Sequence, residues 1–161
     1  MITIRCLFFI IGLVFLACKS NTKETPDGLR FRVIKEGKGD LAKKNDVVLF
    51  HLKVIDSKDS IWVNSYDNGI PLGSLTGDPK RVRESPLKKM FRMVRPDDSI
   101  IVNLTLREYY RYMLNQPPPL NVNSSLVLSY QVKIDRIIPV EAHSTWMEIL
   151  SFRNKKKSNR R

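Results

Sequence analysis

Few side chains in this 161-residue chain can do chemistry. It holds two histidines, His51 and His143, and two cysteines, Cys6 and Cys18. A zinc centre needs three or four Cys, His or carboxylate ligands, and a nucleophilic triad needs a histidine beside its nucleophile. Two scattered histidines and two thiols confined to the first 18 residues supply neither. None of the seven glycines completes a GxxxxGK or GxGxxG loop, so no phosphate cradle is expected. Carboxylates occur throughout, but no spacing singles out an acid–base pair. No cofactor and no metal are therefore expected. Any activity should rest on shape and an apolar pocket more than on proton transfer.

Cys18 is the reactive residue whose surroundings are informative. The chain opens Met1-Ile2-Thr3-Ile4-Arg5, with one positive charge, and runs apolar from Cys6 to Ala17. Those 12 residues fall short of the ~20 that a helix needs to span a hydrocarbon core. A basic start, a short apolar stretch and a small residue at its end make a secretory signal. Phe15-Leu16-Ala17-Cys18 resembles the bacterial lipobox, with Phe15 where leucine is usual. Residues 1–17 read as a lipoprotein signal peptide, Cys18 as the lipidated N-terminus, and 18–27 as that cysteine and a flexible tether. Cys6 would leave with the leader, so no internal disulfide can form. The alternative is an ordinary signal peptide with Cys18 a free thiol or already removed. Under the first reading the protein sits in the cell envelope, lipid-anchored, with its domain outside the cytoplasm, in the periplasm.

Charge is uneven. The formal net charge is +12, or +11 once Arg5 is gone, and residues 153–161 alone carry +6. With no apolar residue beyond Phe152, that tail is expected to be disordered. An exported chain does not meet nucleic acid, despite the basic balance. Two readings of the tail stand: a solvated end, or a contact to an anionic envelope surface.

The elements that must position any site are mostly strands. Val48, Phe50, Leu52 and Val54 alternate with Leu49, His51 and Lys53, the period of a strand with one apolar face. Ile100, Val102, Leu104 and Leu106 repeat the pattern, as do Leu126, Leu128, Tyr130, Val132 and Ile134. Residues 29–34 and 61–63 are shorter candidates, giving about five strands. Leu87, Met90, Phe91 and Val94 switch to helical spacing, with Ser85 as N-cap and Pro86 at the first helical position. The segment 69–78 reads as loop. The expectation is an α+β domain over 28–139, an antiparallel sheet around one short helix. Residues 140–161 form a second unit. There Thr145-Trp146-Met147-Glu148 fits a capping box opening a short apolar helix before the tail. That helix either docks on the domain or lies at a membrane surface.

Gly28 to Ile138 resembles the FK506-binding-protein type of peptidyl-prolyl isomerase. Leu29-Arg30-Phe31-Arg32-Val33-Ile34 with Gly37 and Gly39 is similar to the family's first strand and glycines. Asn45-Asp46, Val48, Phe50 and His51 resemble its GDxVxVHY strand. Pro86 to Val94 with Asp97-Asp98-Ser99 takes the place of its helix and turn. Ser124-Ser125-Leu126-Val127 resembles the lead-in to its last strand. Among lipid-anchored members, the gliding-motility-associated isomerases are similar. The resemblance implies a sheet wrapped around a helix, with an aromatic-lined prolyl pocket between them. It implies as substrate the proline-containing polypeptides of the envelope. Amide rotation has a barrier of ~20 kcal/mol, and binding the twisted amide lowers it without an obligatory acid or base. Carried over, the pocket falls on Leu52, Val63, Asn64, Leu87, Tyr110 and Leu128, with Trp62 as an aromatic wall if the register shifts by one. Val63 replaces an aromatic residue, Asn64 an aspartate, Leu52 a tyrosine and Leu128 a phenylalanine. Tyr110 matches the family's substrate-binding tyrosine. These departures leave a second reading open, a non-catalytic binding or assembly lipoprotein on the same fold.

Overall fold

The computed structural model describes residues 21–77, 84–114 and 116–158. The leader at 1–17, Cys18 and residues 159–161 lie outside the described residues. Seven strands form one antiparallel sheet: β1 (Thr22–Glu24), β2 (Arg30–Lys35), β3 (Asp46–Asp56), β4 (Ile61–Asn64), β5 (Leu72–Leu75), β6 (Ser99–Thr105) and β7 (Val127–Pro139). The path is β1-β2-β6-β7-β3-β4, and β5 also pairs with β3. Helix α1 (Pro86–Phe91) follows the connection after β5. Helix α2 (Leu106–Tyr109) leads directly into a π-helical turn at Tyr110–Leu114. Helix α3 (Val140–Ser158) closes the described chain.

The long strands form where apolar residues alternate. Phe31 and Val33, Ile100 and Val102, Tyr130 and Val132, and Val48 and Phe50 come from four neighbouring strands to one inner face, and all are buried. Helix α1 covers that face. Ser85 caps it, its hydroxyl accepting from Lys88 N, and Pro86 stands at the first turn. Met90 and Val94 are buried completely, and the Phe91 ring lies 4.7 Å from Phe50.

The turn before β6 is locked from below. Asp98 is 1% exposed, and its two carboxylate oxygens accept from Gly37 N at 2.6 Å and Arg95 N at 2.8 Å. A Cβ on Gly37 would stand 1.7 Å from the Pro96 carbonyl oxygen, so only glycine fits there.

Five expectations need correction. Among the described residues there are seven strands where about five were expected. The additional β1 lies in what read as tether. Thr22, Lys23 and Glu24 have no apolar alternation, yet they pair with Arg32, Phe31 and Arg30 on the open edge of β2. The additional β5 lies in what read as the 69–78 loop. Strand β3 is 11 residues long, so two short strands share one of its edges: β4 along residues 53–55 and β5 along 47–50. Helix α3 starts at Val140, ahead of the capping box at Thr145, because it continues straight from β7. It also runs helical to Ser158, into the stretch expected to be disordered.

The docking alternative for that helix is the one observed. Trp146 lies under the Arg136 guanidinium, 3.9 Å from ring centroid to Cζ. Gly73 lets His143 approach, since a Cβ there would come within 3.2 Å of its Nε2. This contact buries Val47 and Leu49 on the outer face of β3, which explains why four successive residues, Val47 to Phe50, are all buried. Among the described residues no helix is long and apolar enough to cross a membrane.

Candidate functional site

The candidate site lies where the inner sheet face, α1 and the π-turn meet. Strand alternation brings Phe50 and Leu52 from β3 to this face, with Leu128 and Tyr130 from β7. The Leu52 N–H donates to Ser65 Oγ at 2.8 Å, which joins the 3-10 turn Ser65–Asn68 to the strand. Helix α1 contributes Leu87, Met90 and Phe91. Its position is set at both ends. Ser85 caps the start, and Arg92 at the far end donates to the Thr76 carbonyl at 2.5 Å and pairs with the nearly buried Glu84. The Thr76 hydrogen bond ties the helix to the end of β5.

The π-turn is positioned by a reciprocal cap. Glu108 Oε2 accepts from Thr105 N at 2.7 Å and from its hydroxyl at 2.8 Å, while Glu108 N donates back to Thr105 Oγ1. This fixes where α2 starts and so where the next two tyrosines point. The Tyr109 ring stacks on Tyr130 at 6.5 Å, and Tyr110 meets Tyr109 edge-on at 5.8 Å. Burial pushes the Tyr130 hydroxyl well above the usual phenol range, with Tyr109 adding to the effect. It therefore stays protonated, as a donor, at any physiological pH.

Four of the seven candidate pocket residues belong to the core cluster or pack against it. Leu128 is in the core, and Leu52, Leu87 and Tyr110 are half-buried against it. Tyr112, Val122 and Leu126 are likewise partly buried against that core. The other three candidates stand apart, on the sheet edge. Val63 sits across from Val54 but is exposed, because β4 has no further neighbour. Trp62 is 51% exposed and donates its Nε1–H to Asp56 Oδ2 at 3.0 Å. Asn64 spends its amide locally: it accepts from Tyr66 N at 3.3 Å and donates to Asp67 at 2.7 Å, capping the 3-10 turn. Nothing in this geometry directs Asn64 at a ligand.

The sequence reading missed the aromatic floor. Phe50, Phe91, Tyr109 and Tyr130 supply the rings that Leu52, Leu87 and Leu128 lack. The signal was present in the Tyr109-Tyr110 doublet. Which of the two faces inward depends on where α2 begins, and that is set by the Thr105–Glu108 cap.

No protein-family model and no curated protein sequence matches the chain. Solved structures do match it in shape. FkpA from Escherichia coli superposes with a TM-score of 0.54 at 20% identity, over 78% of this chain and 55% of that one. The chain thus corresponds to about half the length of FkpA. The fold is FKBP-like. The N-terminal domain of FKBP42 from Arabidopsis thaliana agrees at TM-score 0.52 and 14% identity, covering 73% of this chain and 92% of that one. A peptidyl-prolyl cis-trans isomerase from Pseudomonas syringae pv. tomato agrees at 0.52 and 13%, covering 75% and 84%. At such identities the shared property is the FKBP-like fold, and the site must be judged on its own side chains.

Proposed function

We propose that this chain is a peptidyl-prolyl isomerase-like lipoprotein that binds proline-containing segments of envelope polypeptides. The observation that carries the reading is that Leu52, Leu87 and Tyr110, each half-buried, pack against one core that holds the ring pairs Phe50–Phe91 and Tyr109–Tyr130. A prolyl ring is small and apolar, and such a surface can hold it while Tyr110 offers a hydroxyl to a peptide carbonyl. Catalysis would come from preferring the twisted amide to either planar isomer. The lipid on Cys18 would hold the domain at a membrane on the far side of export.

Leu52→Asp and Leu87→Asp place a carboxylate where the ring would sit. Each should reduce cis–trans exchange of a proline tetrapeptide at least about tenfold, the equivalent of ~1.4 kcal/mol, while the fold is retained by circular dichroism. Exchange unaffected in both variants would remove the site from the account.

A second reading is favoured by Asn64. Its amide is consumed by the cap, and it lies on the sheet edge with Trp62 and Val63. On this reading the protein is a non-catalytic binding or assembly lipoprotein. It would retain a stable envelope partner on crosslinking and show no exchange activity. The basic stretch 153–161 is proposed to add attraction to anionic envelope surfaces, tested by deleting it and measuring vesicle binding at low salt.

A further inference from the structure

The outer face of the sheet carries a feature that prolyl binding does not use. An open cavity of about 280 Å³ lies on that face, across β2, β6, β7 and β3, beside the area covered by α3. Ile34, Ile101 and Tyr66 give it an apolar lining, and Lys53 and Lys133 stand at its margin; no carboxylate lines it. Ile34 is 53% exposed and Tyr66 49%, the latter stacked on His51 at 4.5 Å.

We propose that this face is a membrane-contact surface, laid against an anionic bilayer with lipid headgroup phosphates at Lys53. Two observations choose a membrane over other occupants. The first is charge. On this face Arg30 pairs with Glu24, and Lys133 with Asp97, while Arg32 and Lys53 have no carboxylate partner among the described residues. Unpaired cations beside exposed isoleucine and tyrosine match the layered chemistry of a bilayer interface. The second is where the chain enters. Asn21 O accepts from Val33 N, and Asn21 Nδ2 donates to Glu36 at 2.7 Å, so the chain joins the sheet next to Ile34. Cys18 is three residues earlier and reaches at most ~10 Å from there. A lipid on Cys18 would therefore enter the bilayer at the edge of this face. The orientation rests on the anchoring proposed above, whereas the surface itself does not need the lipid.

The test uses the chain from residue 18 with Cys18→Ser, which keeps every described residue and removes the anchor. Co-sedimentation is measured with phosphatidylcholine vesicles with and without phosphatidylglycerol. Binding should require the anionic lipid, weaken with salt, and fall roughly tenfold in Lys53→Glu. Ile34→Asp should weaken it as well. Lys88→Glu, an equal charge reversal on exposed α1 behind the sheet, should leave binding within about twofold of the parent. Equal binding to neutral vesicles, no binding at all, or equal losses for Lys53→Glu and Lys88→Glu would overturn the proposal. Whether Cys18 carries lipid is read separately, from the mass of the protein extracted from membranes.

Discussion

Replacing Asp98 with alanine should cost about 3–6 kcal/mol of folding stability. The side chain is buried, and each carboxylate oxygen has its own backbone donor, Gly37 N and Arg95 N. Hydrogen bonds to a charged group are worth ~1.5–3 kcal/mol each, and alanine leaves both donors without a partner. A domain of this size is stable by ~5–15 kcal/mol, so the loss takes a large share. Asp98→Asn should cost about half as much, since its carbonyl still accepts while its amide opposes the other N–H. Urea titration followed by far-ultraviolet circular dichroism measures this, provided the slope m is unchanged. Asp97→Gly is the control. Its carboxylate makes only an exposed pair with Lys133, and its φ of 67° suits glycine, so it should stay within ~1 kcal/mol of the parent. If Asp98→Ala also stayed within ~1 kcal/mol, the claim that this carboxylate locks the β2 and β6 connections would be wrong.

Three other outcomes are expected. Gly37→Ala should destabilise by at least ~1–3 kcal/mol in the same titration, because its Cβ would overlap the Pro96 carbonyl. Stability should fall as pH rises above about 10, because the unfolded chain releases the Tyr130 proton there while the folded state holds it. The contribution is complete below the unfolded pKa, so Tyr130→Phe should flatten the alkaline fall without introducing one in acid. Trp146→Ala should free α3 from Arg136, seen as faster amide exchange over Val140–Glu148 with the β3–β7 pairing still protected. Trp146→Phe should come within ~1 kcal/mol of the parent, since it loses cation–π strength but also a buried Nε1 with no acceptor among the described residues.

The sheet was legible wherever one face is dry and the other wet. Val48 to Val54, Ile100 to Leu104 and Leu128 to Ile134 alternate clearly and lie in long central strands, whereas Leu106 opens α2 and Leu126 precedes β7 although both continue the alternation. The helix was legible too, because Ser85 and Pro86 mark its start chemically and Leu87, Met90 and Phe91 its buried side. Strands β1 and β5 were not. Thr22-Lys23-Glu24 pairs with β2 without any apolar alternation, and Leu72-Gly73-Ser74-Leu75 gains its place from the spare edge of β3. Neither leaves a pattern in side chains. The site was half legible for a related reason. Leu52, Leu87, Leu128 and Tyr110 occupy regular elements or follow a well-capped helix, so their register could be carried over. Trp62, Val63 and Asn64 sit on a four-residue edge strand beside a bulge, where one residue of slip changes the face. The aromatic floor depended on long-range packing, Tyr109 against Tyr130 and Phe50 against Phe91, which no local spacing encodes.

The central claim is that the surface formed by Leu52, Leu87 and Tyr110 handles prolyl bonds. It is tested most directly by nuclear magnetic resonance exchange spectroscopy of a proline tetrapeptide with the unaltered domain. The account predicts cis–trans exchange faster than in buffer, which disappears on Leu87→Asp. Exchange equal to buffer, with protein shown to be folded, would contradict it and leave the binding-only reading.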